Sequence, residues 1–241
     1  MKIIRIIFLL AICKPCVAQE DKSYHMMPAP SVVIGGSFQK FDNLNSRISN
    51  LPQYKQLPSS MGTIELGWLK EHRRFVSGAG IYLGSSMSGD PSEKSSALRS
   101  MGIHAEIGYN LLDSKKIILY PLAGIGYEKY QARFFKDNST VDFNDVLQSP
   151  TVQNSIDPVS FRNSFFTYRL GMGISLKSPK YPSNSIGLQA GYVGSFSSNE
   201  WKSNDSQDLR NAPSDKLSKI YVGLVLTFSP WGMMKENHES K

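Results

Sequence analysis

His104 and Glu106 are the residues of this chain whose types and spacing are best suited to acid–base chemistry. They lie two positions apart, so an extended strand would present both side chains on one face. A hydrolytic site would also need a nucleophile beside them, but the next residues on that face are Gly102 and Gly108. The chain has 4 histidines, and they are scattered: His25, His72, His104 and His238. The sequence therefore predicts no catalytic site, no metal site and no cofactor.

A larger group of residues could form a salt-bridge network if the fold encloses it. Long segments of the chain alternate apolar residues with glycines and polar residues. The glycine-rich side carries the following charged or titratable residues: Glu65, His104, Glu106, Glu128, Arg169 and Lys219. Charges that cannot reach bulk water interact strongly, so opposite charges would pair. The group is either a gate in a narrow pore or a charged polar core, and we interpret it as a polar core.

The composition excludes several classes of protein. The chain has 241 residues, of which 40% are hydrophobic, so it is not a disordered polymer. It contains no run of about 18 apolar residues, which a transmembrane helix requires. The net charge is +7, but the 27 lysines and arginines are spread along the chain rather than gathered in one patch. The sequence therefore gives no support to nucleic-acid binding.

Residues 1–18 have the pattern of a secretory signal peptide. Lys2 and Arg5 precede a short apolar run, and small residues lead to a cleavage position after Ala18. Both cysteines, Cys13 and Cys16, lie in this segment. The mature chain would therefore contain no disulfide.

The rest of the chain repeats a run of alternating apolar and small or polar residues followed by a turn or loop. The clearest case is 101–111, where Met101, Ile103 and Ile107 share one face with other apolar residues. This periodicity predicts eight β-strands, near 31–41, 61–70, 74–87, 97–111, 117–134, 162–177, 184–198 and 215–228, and no window of comparable length shows helical periodicity. The connections alternate between short turns and longer polar loops. Short turns therefore join the strands at one end of the structure, and longer loops join them at the other.

An even number of two-faced antiparallel strands predicts closure into a barrel. In a lipocalin-like soluble barrel the apolar faces would point inward, whereas in a membrane barrel they would point outward. The glycines and charges fit an eight-stranded interior, and strands of roughly 10 to 16 residues suit an apolar band of about 25 Å. Aromatic residues lie near strand ends, as interfacial girdles require: Trp68, Tyr109, Tyr127 and Tyr168. These features favour the membrane barrel.

The segment 221–228 carries a more specific signal. It places Gly223 two residues after Tyr221 and then alternates hydrophobic residues, including Leu226, up to Phe228. This pattern resembles the C-terminal insertion signal of the small eight-stranded outer-membrane β-barrel proteins of Gram-negative bacteria, the outer-membrane protein A and X type. In that family the barrel-assembly machinery reads the signal. The family's chains usually end at the Phe, whereas here residues 229–241 follow.

The resemblance implies an all-β, eight-stranded antiparallel up-and-down transmembrane barrel with short periplasmic turns and longer extracellular loops. We predict a cleaved signal peptide at 1–18, an N-terminal periplasmic segment at 19–30, the barrel at 31–228 and a C-terminal periplasmic tail at 229–241. The protein would reside in the outer membrane, contact its lipid and lipopolysaccharide, and present loops to a surface or secretion partner in a structural or adhesive role, without enzymatic activity. Two alternatives stay open: a secreted or periplasmic lipocalin-like ligand-binding barrel, and a lipid-A-modifying outer-membrane enzyme.

Overall fold

The computed structural model describes residues 29–90, 93–114, 116–179 and 184–228. The predicted signal peptide, residues 19–28 of the predicted periplasmic segment and the 229–241 tail lie outside these residues.

Eight long antiparallel strands form the body of the protein. In chain order they are β1 Ala29–Gln39, β2 Ser60–His72, β3 Phe75–Gly89, β4 Ser95–Tyr109, β5 Ile117–Phe135, β6 Val159–Lys177, β7 Ser185–Ser195 and, after three two-residue strands, β11 Ser218–Thr227. Each strand pairs with its neighbours in sequence, and β1 pairs with β11, so the sheet closes on itself. The prediction of an eight-stranded antiparallel up-and-down barrel is confirmed. β1 begins at Ala29, two residues before the predicted start, because Ala29 and Pro30 pair with β2.

The connections differ in length at the two ends of the barrel. At the short-turn end they comprise residues 73–74, 110–116 and 178–184, and at the long-loop end 40–59, 90–94, 136–158 and 196–217. The long loops contain helices α1 Asp42–Ser49, α2 Phe143–Gln148 and α3 Pro150–Ile156 and the small strands β8 Asn199–Glu200, β9 Lys202–Ser203 and β10 Ser214–Asp215. These helices have only 6 to 8 residues, which is too short to show helical periodicity in the sequence.

The tightest turn joins β2 to β3 through Arg73 and Arg74 alone. Both residues have positive φ angles, 48° and 71°. Two-residue hairpin loops favour this geometry because its twist matches that of the strands, and Asn-Gly is the usual sequence for it. The Arg-Arg pair therefore adopts a conformation that the paired strands impose rather than one that these residues prefer.

The outer surface of the barrel is an apolar belt. Large hydrophobic side chains point outward along every strand, and Leu66, Ile125 and Phe166 expose 62%, 66% and 69% of their surface. Trp68 and Tyr109 lie at the short-turn end of this belt, and Tyr127 and Tyr168 lie toward the long-loop end. A water-soluble protein does not expose so continuous an apolar surface, whereas hydrocarbon solvates it. The outward direction of the apolar faces excludes the lipocalin-like arrangement.

No helix in the described residues is long and apolar enough to cross a bilayer.

Leu170→Arg should destabilise the barrel by about 2 to 4 kcal/mol in phosphatidylcholine vesicles, because the charge would lie deep in the apolar belt. Leu170 is 53% exposed and pairs with Ala123 on β5, in the middle of the outward row. Ser164→Arg is the matched control on the same face of β6, near the long-loop end, and should cost at most about 1 kcal/mol. Urea unfolding in the vesicles measures both variants, and equal costs would contradict a membrane-facing belt.

Candidate functional site

The barrel interior is filled in three layers. An inner plug at the short-turn end consists of Val76, Ile118, Tyr120 and Leu122, with Leu69 packed against them. A charged layer occupies the middle. Above it, at the long-loop end, lies an outer plug of buried apolar side chains that includes Phe41, Leu98, Phe134, Phe165, Trp201 and Leu217. An eight-stranded barrel has room only for side chains, and the two plugs and the charged layer occupy the interior that the described residues enclose.

The first half of the charged layer joins strands β2, β4 and β6. His104 Nε2 lies 3.4 Å from Glu65 Oε1 and 3.8 Å from Glu106 Oε2. Arg169 spans the same two carboxylates, with Nη1 3.9 Å from Glu65 Oε2 and Nε 3.7 Å from Glu106 Oε2. Gln189 from β7 donates a 2.9 Å hydrogen bond to Glu106 Oε1. The structure therefore brings Glu65, His104, Glu106 and Arg169 into one cluster, and Arg169 lies level with the carboxylates.

The second half of the charged layer is the ion pair of Glu128 and Lys219. Lys219 Nζ lies 2.8 Å from both carboxylate oxygens, and both side chains are almost fully buried. Tyr130 donates a 2.7 Å hydrogen bond to Glu128 Oε2, and Lys219 donates one of 3.1 Å to Tyr82 Oη. The Lys219 ammonium also lies 4.4 Å from the centroid of the Tyr82 ring. Tyr82 and Tyr130 were not among the residues predicted for this network. The alternation along β3 and β5 nevertheless indicated that both side chains face inward.

The charged layer has the composition of a structural network. Three carboxylates face two cations and the imidazole of His104. A cavity of about 40 Å³ lies beside Glu65, Arg169 and Lys219, and it is too small for a solute larger than a few water molecules. No group of three or more possible metal ligands occurs in the part of the chain that the structure describes. Charges enclosed between two apolar plugs stabilise the barrel only when all of them are paired.

Asp215 on β10 holds the loops over the long-loop end. Its carboxylate accepts hydrogen bonds from the backbone N–H groups of Asn43 and Leu44, at 2.9 and 3.2 Å, and from Trp201 Nε1 at 2.8 Å. Helix α1 has Phe41 at its N-cap and no cap from its own side chains, so Asp215 satisfies the open N–H groups of its first turn. The sequence gives no local sign of this contact, because Asn43 and Asp215 are 172 residues apart.

The outer plug is also stabilised by aromatic contacts. The Phe41 ring lies 5.2 Å from Trp201 and 5.1 Å from Tyr130, both in edge-to-face geometry. Trp201 and Leu217 lie in a polar loop of the sequence, and apolar residues of this size in such a loop were the signal that could have predicted the plug. The plug connects the loops to the charged layer through Tyr130.

The predicted insertion signal lies on the strand that closes the barrel. Tyr221 faces inward, with its ring centroid 4.6 Å from the Arg169 guanidinium. Gly223 lines the small cavity. Leu226 is half-buried, and Phe228 is 42% exposed and donates its backbone N–H to Pro30 O at 3.0 Å.

Glu128→Gln should destabilise the protein by about 3 to 5 kcal/mol, because it leaves the Lys219 ammonium buried without a counter-charge. Adding Lys219→Met should restore part of this loss. Lys202→Met removes an exposed ion pair with Asp208 and should cost at most about 1 kcal/mol, which makes it the control. Urea unfolding in vesicles measures these differences, and a cost for Glu128→Gln no larger than that of Lys202→Met would contradict the pairing.

Asp215→Ala should open the β1–β2 loop by removing the hydrogen bonds to α1 and Trp201. Hydrogen bonds to a charged group contribute about 1.5 to 3 kcal/mol each, so trypsin should cut this loop at least about tenfold faster. Asp205→Ala, at an exposed position in the same loop as Asp215, is the control and should leave the cleavage rate unchanged. Equal cleavage rates in the two variants would show that Asp215 does not hold the loops.

No protein-family model and no curated protein sequence matches this chain. Among solved structures it is similar to the attachment invasion locus protein Ail of Yersinia pestis in complex with the heparin analogue sucrose octasulfate, with 14% identity, 84% of this chain and 100% of that chain covered, and a TM-score of 0.43. It is also similar to a major outer membrane protein from Thermus thermophilus, with 10% sequence identity and a TM-score of 0.45. That match covers 83% of this chain and 100% of the Thermus chain. A third similar structure is Neisserial surface protein A (NspA), with 10% sequence identity and a TM-score of 0.44. The match covers 83% of this chain and 97% of that chain. The closed strand pairing and outward apolar belt of this chain make it a small eight-stranded barrel of the outer-membrane type.

Proposed function

We propose that this protein is a non-enzymatic resident of the outer membrane of a Gram-negative bacterium. It is exported with a cleaved signal peptide and inserted by the barrel-assembly machinery, which reads Tyr221, Gly223, Leu226 and Phe228. The short turns face the periplasm and the long loops face the outside. The observation that carries this proposal is the combination of an apolar belt on the outside with a sealed, charged interior.

The filled interior supports a role at the surface of the barrel rather than transport through it. Two apolar plugs enclose the charged layer, so a gate would have to displace packed side chains such as Phe134, Phe165 and Trp201. His104 is 7% exposed and lies between two carboxylates inside the barrel, where a lipid at the rim cannot reach it. The five charged residues and His104 therefore act as a polar core that holds the strands in register.

The long loops supply the surface for a partner. Helix α2 exposes Phe143 and Leu147, which are 73% and 64% accessible and lie four positions apart on one side of the helix. Exposed apolar side chains grouped on one side of a loop helix are typical of contact surfaces. This supports an adhesive or partner-binding role on an outer cell surface or in a secretion assembly, with the barrel as the anchor.

Cysteine labelling of intact cells tests the orientation. No cysteine lies beyond residue 16, so Gln148→Cys in the α2 loop and Lys116→Cys in a short turn would each introduce the only thiol of the mature protein. A membrane-impermeant maleimide should label Gln148→Cys on intact cells and should label Lys116→Cys only after the outer membrane is opened. Both proteins should migrate faster on gels before boiling than after it. Labelling of neither site on intact cells, together with recovery in the soluble periplasmic fraction, would contradict the proposal.

A further inference from the structure

At the long-loop end, the outer wall of the barrel carries a row of cations on strands β4 to β6 and β9. Arg99 on β4 pairs with Gln131 on β5, Gln131 pairs with Arg162 on β6, and Arg162 pairs with Lys202 on β9. These residues therefore lie side by side across four strands, a distance of about 14 Å. Lys129 lies in the next row of the same face, and the four cations are all exposed.

The cation row borders the apolar belt directly. Met101 lies beside Lys129 in the next register row, and the row below it contains Ile103, Tyr127 and Phe166. The Tyr127 and Phe166 ring centroids are 5.0 Å apart, and Lys129 Nζ lies 5.7 Å from the Tyr127 centroid. The cations thus occupy the depth at which hydrocarbon gives way to headgroups, with aromatic rings marking the boundary.

The four cations line a concave surface, which we call the basic groove (Arg99, Lys129, Arg162 and Lys202). It encloses about 1360 Å³ between the barrel wall and the 196–217 loop. Glu200 and Asp208 also line it, and Asp208 pairs with Lys202 at 2.8 Å. In the described residues, no carboxylate lies within ion-pair distance of Arg99, Lys129 or Arg162. Three cations of the groove are therefore available to an anionic ligand.

The opposite wall has a different chemistry at the same end. The outward residues of β1, β2 and β11 there include Phe38, Ser60 and Ile220, which pair in one register row. Phe38 and Ile220 are 57% and 60% exposed, and this row contains no cation. The three unpaired cations Arg99, Lys129 and Arg162 therefore lie on the β4–β6 wall, whereas on the opposite wall Lys40 lies beyond this row, at the start of the β1–β2 loop.

We infer that the basic groove binds the phosphorylated headgroup of a glycolipid in the outer leaflet, with the acyl chains of that lipid lying along the belt below. Arginine matches phosphate oxygens with two parallel N–H donors, and Lys129 adds a charge closer to the hydrocarbon. The position favours a lipid over a soluble anion, because the cations face sideways into the membrane plane rather than upward from the loop tips. This inference rests on the proposed outer-membrane location and assigns a specific lipid contact to it.

The test uses the mature protein refolded in a neutral detergent and titrated with diphosphoryl lipid A, with the bound fraction measured by native mass spectrometry. The variant R99Q/K129Q/R162Q removes the three unpaired cations. Each cation near an anionic headgroup contributes about fivefold to affinity, so the variant should bind at least about tenfold more weakly. Monophosphoryl lipid A should bind the unmodified protein more weakly than the diphosphoryl form.

The matched control K40Q/R47Q/K55Q removes three exposed cations from the β1–β2 loop and leaves the groove intact. It changes the net charge by the same amount and should keep the affinity of the unmodified protein. E200Q/D208N removes the carboxylates of the groove and should tighten binding, which gives a second test that does not depend on a loss of function. Heat-modifiable mobility establishes that each variant is folded.

Equal weakening in the groove and loop triple variants would overturn the inference, because it would reveal only a general charge effect. Displacement of lipid A by millimolar inorganic phosphate would also overturn it in favour of a soluble anion. If these results occur while cysteine labelling still places the loops outside, the lipid site fails and the proposed function stands. If the labelling fails, the proposed location itself is wrong.

Discussion

The pairing of β1 with β11 is the constraint on which the rest of the structure depends. In hydrocarbon no water is available to pair with backbone N–H and C=O groups, so a sheet can cross a membrane only if it has no free edge. The register from Ser31–Thr227 to Gln39–Lys219 closes the sheet and joins the first and last strands of the barrel. Closure also sets the direction of every side chain, because successive residues point alternately to the lipid and to the interior.

Closure with eight strands creates a second requirement, which is to fill a narrow interior. Inward glycines leave room for large side chains, because a Cβ at Gly102 would meet the Tyr82 ring and one at Gly173 would meet the Tyr120 ring. The two apolar plugs and the charged layer between them occupy the interior. The charged layer is stable because each charge has an opposite charge close by, with Glu128 and Lys219 in direct contact at 2.8 Å. The outer plug then couples the loops to the barrel, since Trp201 packs in it and donates a hydrogen bond to Asp215. The side chains that hold the loops in place therefore belong to the same packing arrangement as those that fill the barrel.

Because the barrel interior is packed with side chains, the surfaces available for binding are the loops and the outer wall. The interior charges lie between apolar plugs, whereas the 136–158 loop exposes Phe143 and Leu147 and the β4–β6 wall exposes the basic groove. These two surfaces differ in direction. The long loops project from one end of the barrel, and the groove opens on its outer wall. The proposed partner contact uses the first surface, and the proposed lipid contact uses the second.

The sequence by itself determined the strand count, the antiparallel closure, the two-ended pattern of turns and loops, and the identity of the inward charges. These properties follow from a period of two residues, which is local and directly readable along each strand. Only the tertiary structure decided which charges meet, because Glu65 reaches Arg169 and Glu128 reaches Lys219 across the barrel. The same holds for the capping of α1 by Asp215, for the left-handed Arg73-Arg74 turn, and for the basic groove. The cations of this groove are spread along the chain, so the sequence showed no patch, and the strand register gathers them on one wall.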